Sequence, residues 1–193
     1  MKTIVWDVDD VLNELMKNWF EGKWLPEHRA CSLRYETIRQ NPPQELLGVS
    51  REEYLASLDS FRSSDAFSGM QPLEEVVAWF RSSGHRFRHI ALTATPITCA
   101  PHSAAWVLRH FGEWVRTFAF VPSPRSSDPQ FTYDATKKEY LVWWGRADIL
   151  IDDNTAHVAE AETSGMRSFL VPRPWNNAKG SLTDILKTLD GMA

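Results

Sequence analysis

Residues Lys2–Leu15 read KTIVWDVDDVLNEL: an apolar run, Thr3 to Trp6, stops at three carboxylates packed into four positions, Asp7, Asp9 and Asp10. A short β-rich segment that ends abruptly in acid reads as a buried strand running into a loop. Four further segments share that character: HIALTA (89–94), TFAFV (117–121), DILID (148–152) and RSFLV (167–171). Helical patterns alternate with them. PLEEVVAWFRSSG (72–84) and PHSAAWVLRHFG (101–112) each carry Pro at the start and Gly at the end, the asymmetry of helix start and stop. KKEYLVWWG (137–145) and TAHVAEAETSG (155–165) also end at Gly, and SLTDILKTL (181–189) opens with a Ser181–Asp184 capping pair. Strand and helix alternating through short connections predict an α/β fold, a doubly wound parallel sheet covered on both faces.

The alternation breaks between residues 14 and 71, where no strand pattern occurs and SREEYLASLDSF (50–61) carries a Ser50–Glu53 capping box. These residues are expected to form a small helical cap inserted after the first strand, leaving 1–13 and 72–193 as the core. VPSPRSSDPQFTYDAT (121–136) is too long and too rich in Pro and Ser for a routine connection, and reads as a surface loop or part of a binding site. A chain of 193 residues suits one core with such an accessory piece.

Composition narrows the function classes. With 43% hydrophobic and 24% charged residues the chain has a globular make-up; no membrane-length apolar run or secretory leader is evident, and a cytoplasmic location is expected. Cys31 and Cys99 are far apart and in no metal-binding spacing. A net charge of −4 argues against polymeric nucleic acid as a partner but leaves room for a small anion. A homodimer stays open. The nine Trp could fill a core, a partner surface or a stacking pocket, and composition does not choose among these.

In parallel sheets ligands bind beyond the carboxyl ends of the strands. Asp7 and Asp9 stand at one such end, and Asp152 and Asp153 of DILIDDN at another. Brought together, like charges about 4 Å apart cost roughly 4 kcal/mol per pair at an effective dielectric near 20. A hard divalent cation relieves that repulsion, and an all-oxygen set suits Mg²⁺. A calcium EF-hand loop is excluded, because its sixth and twelfth positions counted from Asp7 are Leu12 and Asn18. Thr93, at the end of the HIALTA segment, offers a hydroxyl suited to a phosphoryl oxygen, near backbone N–H groups. Lys137 and Lys138 open a helix, where cations are unfavourable for the dipole, so one of them is a candidate counter-charge.

Taken in order, DVDDV, LTA, a helix-start Lys and LIDDN resemble the four motifs of the haloacid dehalogenase superfamily, over essentially the whole chain. FSGMQPLEEVVAWF, LTATPI, WVLRHFGEWV, ADILIDDN and VPRPWN further resemble the five-prime/three-prime deoxyribonucleotidases. The resemblance implies a Rossmann-like core and a Mg²⁺-dependent phosphomonoesterase working through an aspartyl-phosphate. It makes Asp7 the nucleophile and Asp9 the general acid and base. Asp7, Asp9, Asp152 and Asp153 would hold metal, and Thr93, Ala94 and Lys137 or Lys138 the phosphate. The implied substrate is a small phosphorylated molecule, a deoxynucleotide in the narrower likeness. Another small phosphate ester is the alternative, as is a non-catalytic phosphate- or partner-binding module. The superfamily usually has Gly where Asp10 stands, and Asp10 is read as a helix-start residue or a nearby charge. Trp19, Phe20 and Trp24 could stack on a nucleobase or form the cap's own core. Trp175 and Asn176 are expected to border the pocket, and His157 to sit on a helix surface.

Overall fold

The computed structural model describes residues 1–125, 128 and 132–192. Five parallel strands form one sheet: β1 (Thr3–Trp6), β2 (Arg88–Thr95), β3 (Val115–Pro122), β4 (Ile149–Asp152) and β5 (Arg167–Leu170), in the order β3-β2-β1-β4-β5. All four residues of β1 are buried, as its central place between β2 and β4 requires. Because side chains alternate across a strand, its residues feed two cores. Ile4 and Trp6 pack on one face with Ala91, Ile149 and Ile151, and Val5 packs on the other with Ile90, Leu92 and Leu150. Helices cover both faces, which is the doubly wound α/β arrangement expected from the alternation.

Between β1 and β2 the described chain is helical: α1 (Leu15–Trp19), a π-helical turn (Phe20–Trp24), α2 (Leu25–Glu27), α3 (Gln44–Leu47), α4 (Arg51–Arg62), α5 (Asp65–Ser68) and α6 (Glu74–Ser83). The Ser50 hydroxyl caps α4 by accepting from the Glu53 N–H at 3.1 Å. The buried residues of α4, Tyr54, Leu58, Phe61 and Arg62, recur at three to four positions and form one stripe. That stripe turns an arginine inward. Then follow α7 (Ala100–Phe111), α8 (Lys137–Trp144), α9 (Thr155–Thr163) and α10 (Leu182–Asp190). Of the expected 121–136 loop, residues 126, 127 and 129–131 lie outside the described residues. No helix among the described residues is long and apolar enough to cross a membrane.

Candidate active site

Register brings the acids together. Trp6 pairs with Ala91 on one side and Ile151 on the other, so the next residue, Asp7, emerges beside Asp152 and near Thr93. The Asp7 N–H donates to the Ile151 carbonyl at 2.9 Å, which continues the ladder to the strand end. Asp7, Asp152 and Asp153 are all buried, and each offers a carboxylate oxygen within 4.8 Å of the others.

Lys137 supplies the counter-charge. Thr136 caps α8 by accepting from the Glu139 N–H at 3.1 Å, which places Lys137 at the first helical position. Its side chain is 1% exposed, and Nζ lies 2.9 Å from Asp7 Oδ1 and 2.7 Å from Asp152 Oδ2. Lys138 is exposed and takes no part in the cluster, a correction to its candidacy. Successive helix positions are turned by about 100°, so only one of two adjacent lysines can point inward.

The cluster's electrostatics follow from burial and neighbours. Burial pushes Asp7 up to about 7, against the pull of Lys137 and with Asp152 and Asp9 adding to the rise. Asp152 is buried too, but Lys137 and His157 outweigh that penalty and hold it down at about 2. Asp153 is raised well above the usual carboxylate range by burial and then by Asp152, Asp10 and Asp7. Lys137 is held above its ordinary value because Asp152 and Asp7 outweigh the cost of burying it.

His157, expected on a helix surface, stands in the site: Nδ1 is 3.2 Å from both Asp152 oxygens. It lies five residues after Asp152 in the first turn of α9, and that spacing was the available signal. Asp153 is tied down by the Trp175 indole N–H at 2.8 Å and by Asn176, whose Nδ2 donates to the Asp153 carbonyl at 2.8 Å.

Asp9 carries a partner the sequence did not announce. Arg62, from the buried stripe of α4, donates through Nη2 to Asp9 Oδ2 at 2.8 Å. Asp10 adopts φ 62°, the left-handed conformation that explains why a Gly is usual at such a position. Its N–H donates to Asn13 Oδ1, its carboxylate accepts from the Met16 N–H, and its carbonyl accepts from Arg173 Nε at 2.7 Å. Burial raises Asp10 to about 8, with Arg173 opposing the rise.

These groups open on a cavity of about 400 Å³. Asp7, Asp9, Asp10 and Asp153 line it with Thr93 and Ala94, while Leu15, Met16, Tyr54 and Leu58 of the inserted helices form an apolar wall. Trp19, Phe20 and Trp24 do not line it. They are at most 1% exposed, and Trp19 packs 5.4 Å from Trp24 and edge-on to Tyr54 at 5.3 Å. Their faces are occupied by one another, by Tyr54 and by His28, so of the two readings, stacking on a nucleobase or packing as a core, they take the second: they form a core of the inserted helices.

No family model matches the chain, and no curated protein does. Solved structures do. A haloacid dehalogenase-like family hydrolase from Streptococcus pneumoniae aligns with a TM-score of 0.63 at 14% identity, covering 97% of this chain and 91% of that one. A protein from Lactobacillus delbrueckii assigned as a phosphoglycolate phosphatase aligns at 0.61 and 11% identity, covering 97% and 98%. A hydrolase of the same superfamily from Bacillus subtilis, solved bound to magnesium, aligns at 0.59 and 16% identity, covering 98% of each chain. What is shared at such identities is architecture, and the fold of this chain is that of the haloacid dehalogenase-like hydrolases.

Proposed function

We propose that the protein is a Mg²⁺-dependent phosphomonoester hydrolase in which residues 14–71 form a cap over a core of residues 1–13 and 72–193. The observation that carries this reading is one buried lysine bridging Asp7 and Asp152, with Asp153 alongside, at converging strand ends beside a cavity of about 400 Å³. Three buried carboxylates beside a single ammonium that pairs with two of them are short of positive charge, and their donor atoms are all oxygen, so the set fits a hard divalent ion. Asp7, Asp153 and the Asp9 carbonyl would hold it. Asp152 is the poorer ligand, since its oxygens already accept from Lys137, His157 and the Asn154 N–H. When bound, the ion supplies neutralisation of phosphoryl charge.

The chain's own residues account for the remaining steps. Asp7 Oδ1 accepts from the Val8 N–H and from Lys137, which leaves Oδ2 to attack phosphorus in line. The ester P–O bond breaks, and its electron pair departs with the alcohol oxygen, which takes a proton from the Asp9 carboxyl. Water then attacks the same phosphorus and gives a proton to Asp9. The bond from phosphorus to Asp7 breaks, restoring the carboxylate and releasing inorganic phosphate. Thr93, the Ala94 backbone and Lys137 would hold the non-reacting phosphoryl oxygens.

The finer assignment, a deoxyribonucleoside monophosphate, is supported by the sequence likeness. Burial of Trp19, Phe20 and Trp24 favours a second reading, a small phosphate ester with an apolar leaving group set against Leu15, Met16 and Leu58. The test is hydrolysis of p-nitrophenyl phosphate with Mg²⁺ and with excess chelator, in wild type and Asp7→Asn. Metal-dependent turnover that the variant lacks is expected, and turnover surviving in Asp7→Asn refutes the mechanism. A panel of deoxynucleotides and small alkyl phosphates then separates the two substrates.

A further inference from the structure

We propose that Arg62 is a positioning residue for Asp9, carried by the cap and held by a relay of ion pairs crossing between cap and core; this inference rests on the phosphatase reading. The relay begins in the core at Asp9, whose Oδ2 accepts from Arg62 Nη2 at 2.8 Å. Arg62 also reaches Asp59, three residues earlier on α4, at 3.4 Å. Asp59 in turn is gripped by Arg125, which follows β3 in the core: Nε donates at 2.6 Å and Nη2 at 2.8 Å, one to each carboxylate oxygen. Arg125 is itself fixed by the Ser123 carbonyl at 2.8 Å. The order is core, cap, cap, core.

Three features separate this from a routine surface ion pair. Arg62 is only 7% exposed, and taking a guanidinium out of water costs several kcal/mol unless its partners are well placed. Its shorter contact is with Asp9, 53 residues away, although Asp59 on its own helix would have been enough to neutralise it. Asp9 Oδ1, by contrast, is buried and has no hydrogen-bond partner among the described residues. Arg62 therefore engages one oxygen of Asp9 and leaves the other to give a proton to the leaving alcohol oxygen and then to accept one from the incoming water. A carboxylate held by one oxygen cannot rotate freely about its side-chain bonds. A misplacement of about 1 Å in a reacting group costs on the order of 10²-fold in rate. Asp59 and Arg125 do not border the cavity that holds the acids; their part is to orient Arg62 and seat α4.

The experiment is a double-mutant cycle on hydrolysis of a simple alkyl phosphate with Mg²⁺, comparing wild type, Arg62→Gln, Asp9→Asn and the double variant, with thermal melts to show that each is folded. Arg62→Gln is expected to lower kcat by roughly 10- to 100-fold with KM little changed. In the Asp9→Asn background the same change costs less than about twofold, because the group it positions has lost its function. Arg62→Lys recovers part of the rate. Asp59→Asn, remote from the reacting atoms, lowers kcat several-fold in wild type and not in Asp9→Asn. Equal losses from Arg62→Gln in both backgrounds overturn the proposal. Should Arg62→Gln fail to fold, Arg62→Lys and Asp59→Asn run the same cycle, and additivity there overturns it equally. If wild type hydrolyses no phosphate ester, or Asp7→Asn still does, the phosphatase reading falls and this inference with it. If those controls behave and the cycle is additive, the Arg62 inference falls alone.

Discussion

Replacing Lys137 with Met keeps the length of the side chain and strips two buried carboxylates of their shared counter-charge. Nζ is 2.9 Å from Asp7 Oδ1 and 2.7 Å from Asp152 Oδ2, with Lys137 and Asp152 almost fully enclosed. At an effective dielectric of about 20, each contact represents roughly 6 kcal/mol of gross attraction. Desolvation of the three groups offsets most of it, and removing one partner of such a set costs about 3–5 kcal/mol.

The pH dependence identifies the cause. Asp152 is buried, yet Lys137 foremost among its neighbours keeps it near 2, below its unfolded value of 3.8. Its stabilisation is therefore complete above the ordinary carboxylate range and is lost as pH falls toward 2. Without Lys137 the Asp152 pKa rises, so the variant takes up a proton at moderately acidic pH and sheds part of its penalty. In metal-free urea unfolding, Lys137→Met should lose about 3–5 kcal/mol at pH 8. At pH 4.5 the loss should be smaller by at least ~1 kcal/mol, the equivalent of about one unit of pKa shift. Mg²⁺ should restore part of the deficit at pH 8. A loss equal at both pH values would mean that Lys137 acts by packing alone, and the ion-pair reasoning would be refuted.

The remaining expectations concern single residues. Asp7→Asn should cut turnover by on the order of 10³-fold or more. Without metal it should melt higher than wild type at pH 8, with the gap narrowing as pH falls below 7 and closing only near 3.8, because burial raises Asp7 from 3.8 to about 7 and the penalty accumulates between those two values. His89 accepts from the Trp6 indole at 3.0 Å through Nδ1 and reaches the Gly84 carbonyl at 2.8 Å through Nε2, a neutral tautomer that burial enforces by lowering its pKa to about 4. Wild type should thus lose on the order of 3 kcal/mol between pH 6.5 and 4 relative to His89→Gln, read as the difference between two stability–pH curves. Trp24→Ala should cost about 3–5 kcal/mol in unfolding and leave KM nearly unchanged, since the ring packs in the inserted helices and borders no substrate; a large rise in KM would return it to the pocket.

How far the site could be read in the chain depended on how local its determinants are. The ends of β1, β2 and β4 are set by short apolar runs followed by polar residues, and in a parallel sheet those ends must converge, so Asp7, Thr93 and the pair Asp152–Asp153 could be placed by pattern alone. Which of two adjacent lysines points inward depends on where Thr136 starts the helix, a matter of one residue. The aromatic residues after β1 were ambiguous for a different reason: a nucleobase and a neighbouring indole make the same demand on a flat apolar face, and only burial separates them. Arg62 was least legible. Nothing within a helical turn of it identifies Asp9 as its partner; what puts it there is that position 62 continues the stripe of Tyr54, Leu58 and Phe61, whose packing drags a charged residue inside. A buried cation so placed must find carboxylates, and besides Asp59 on its own helix it meets Asp9, two residues beyond Asp7. On the proposed reading, packing of the inserted helices sets the orientation of Asp9, and substitutions at Leu58 or Phe61 should perturb turnover as well as stability.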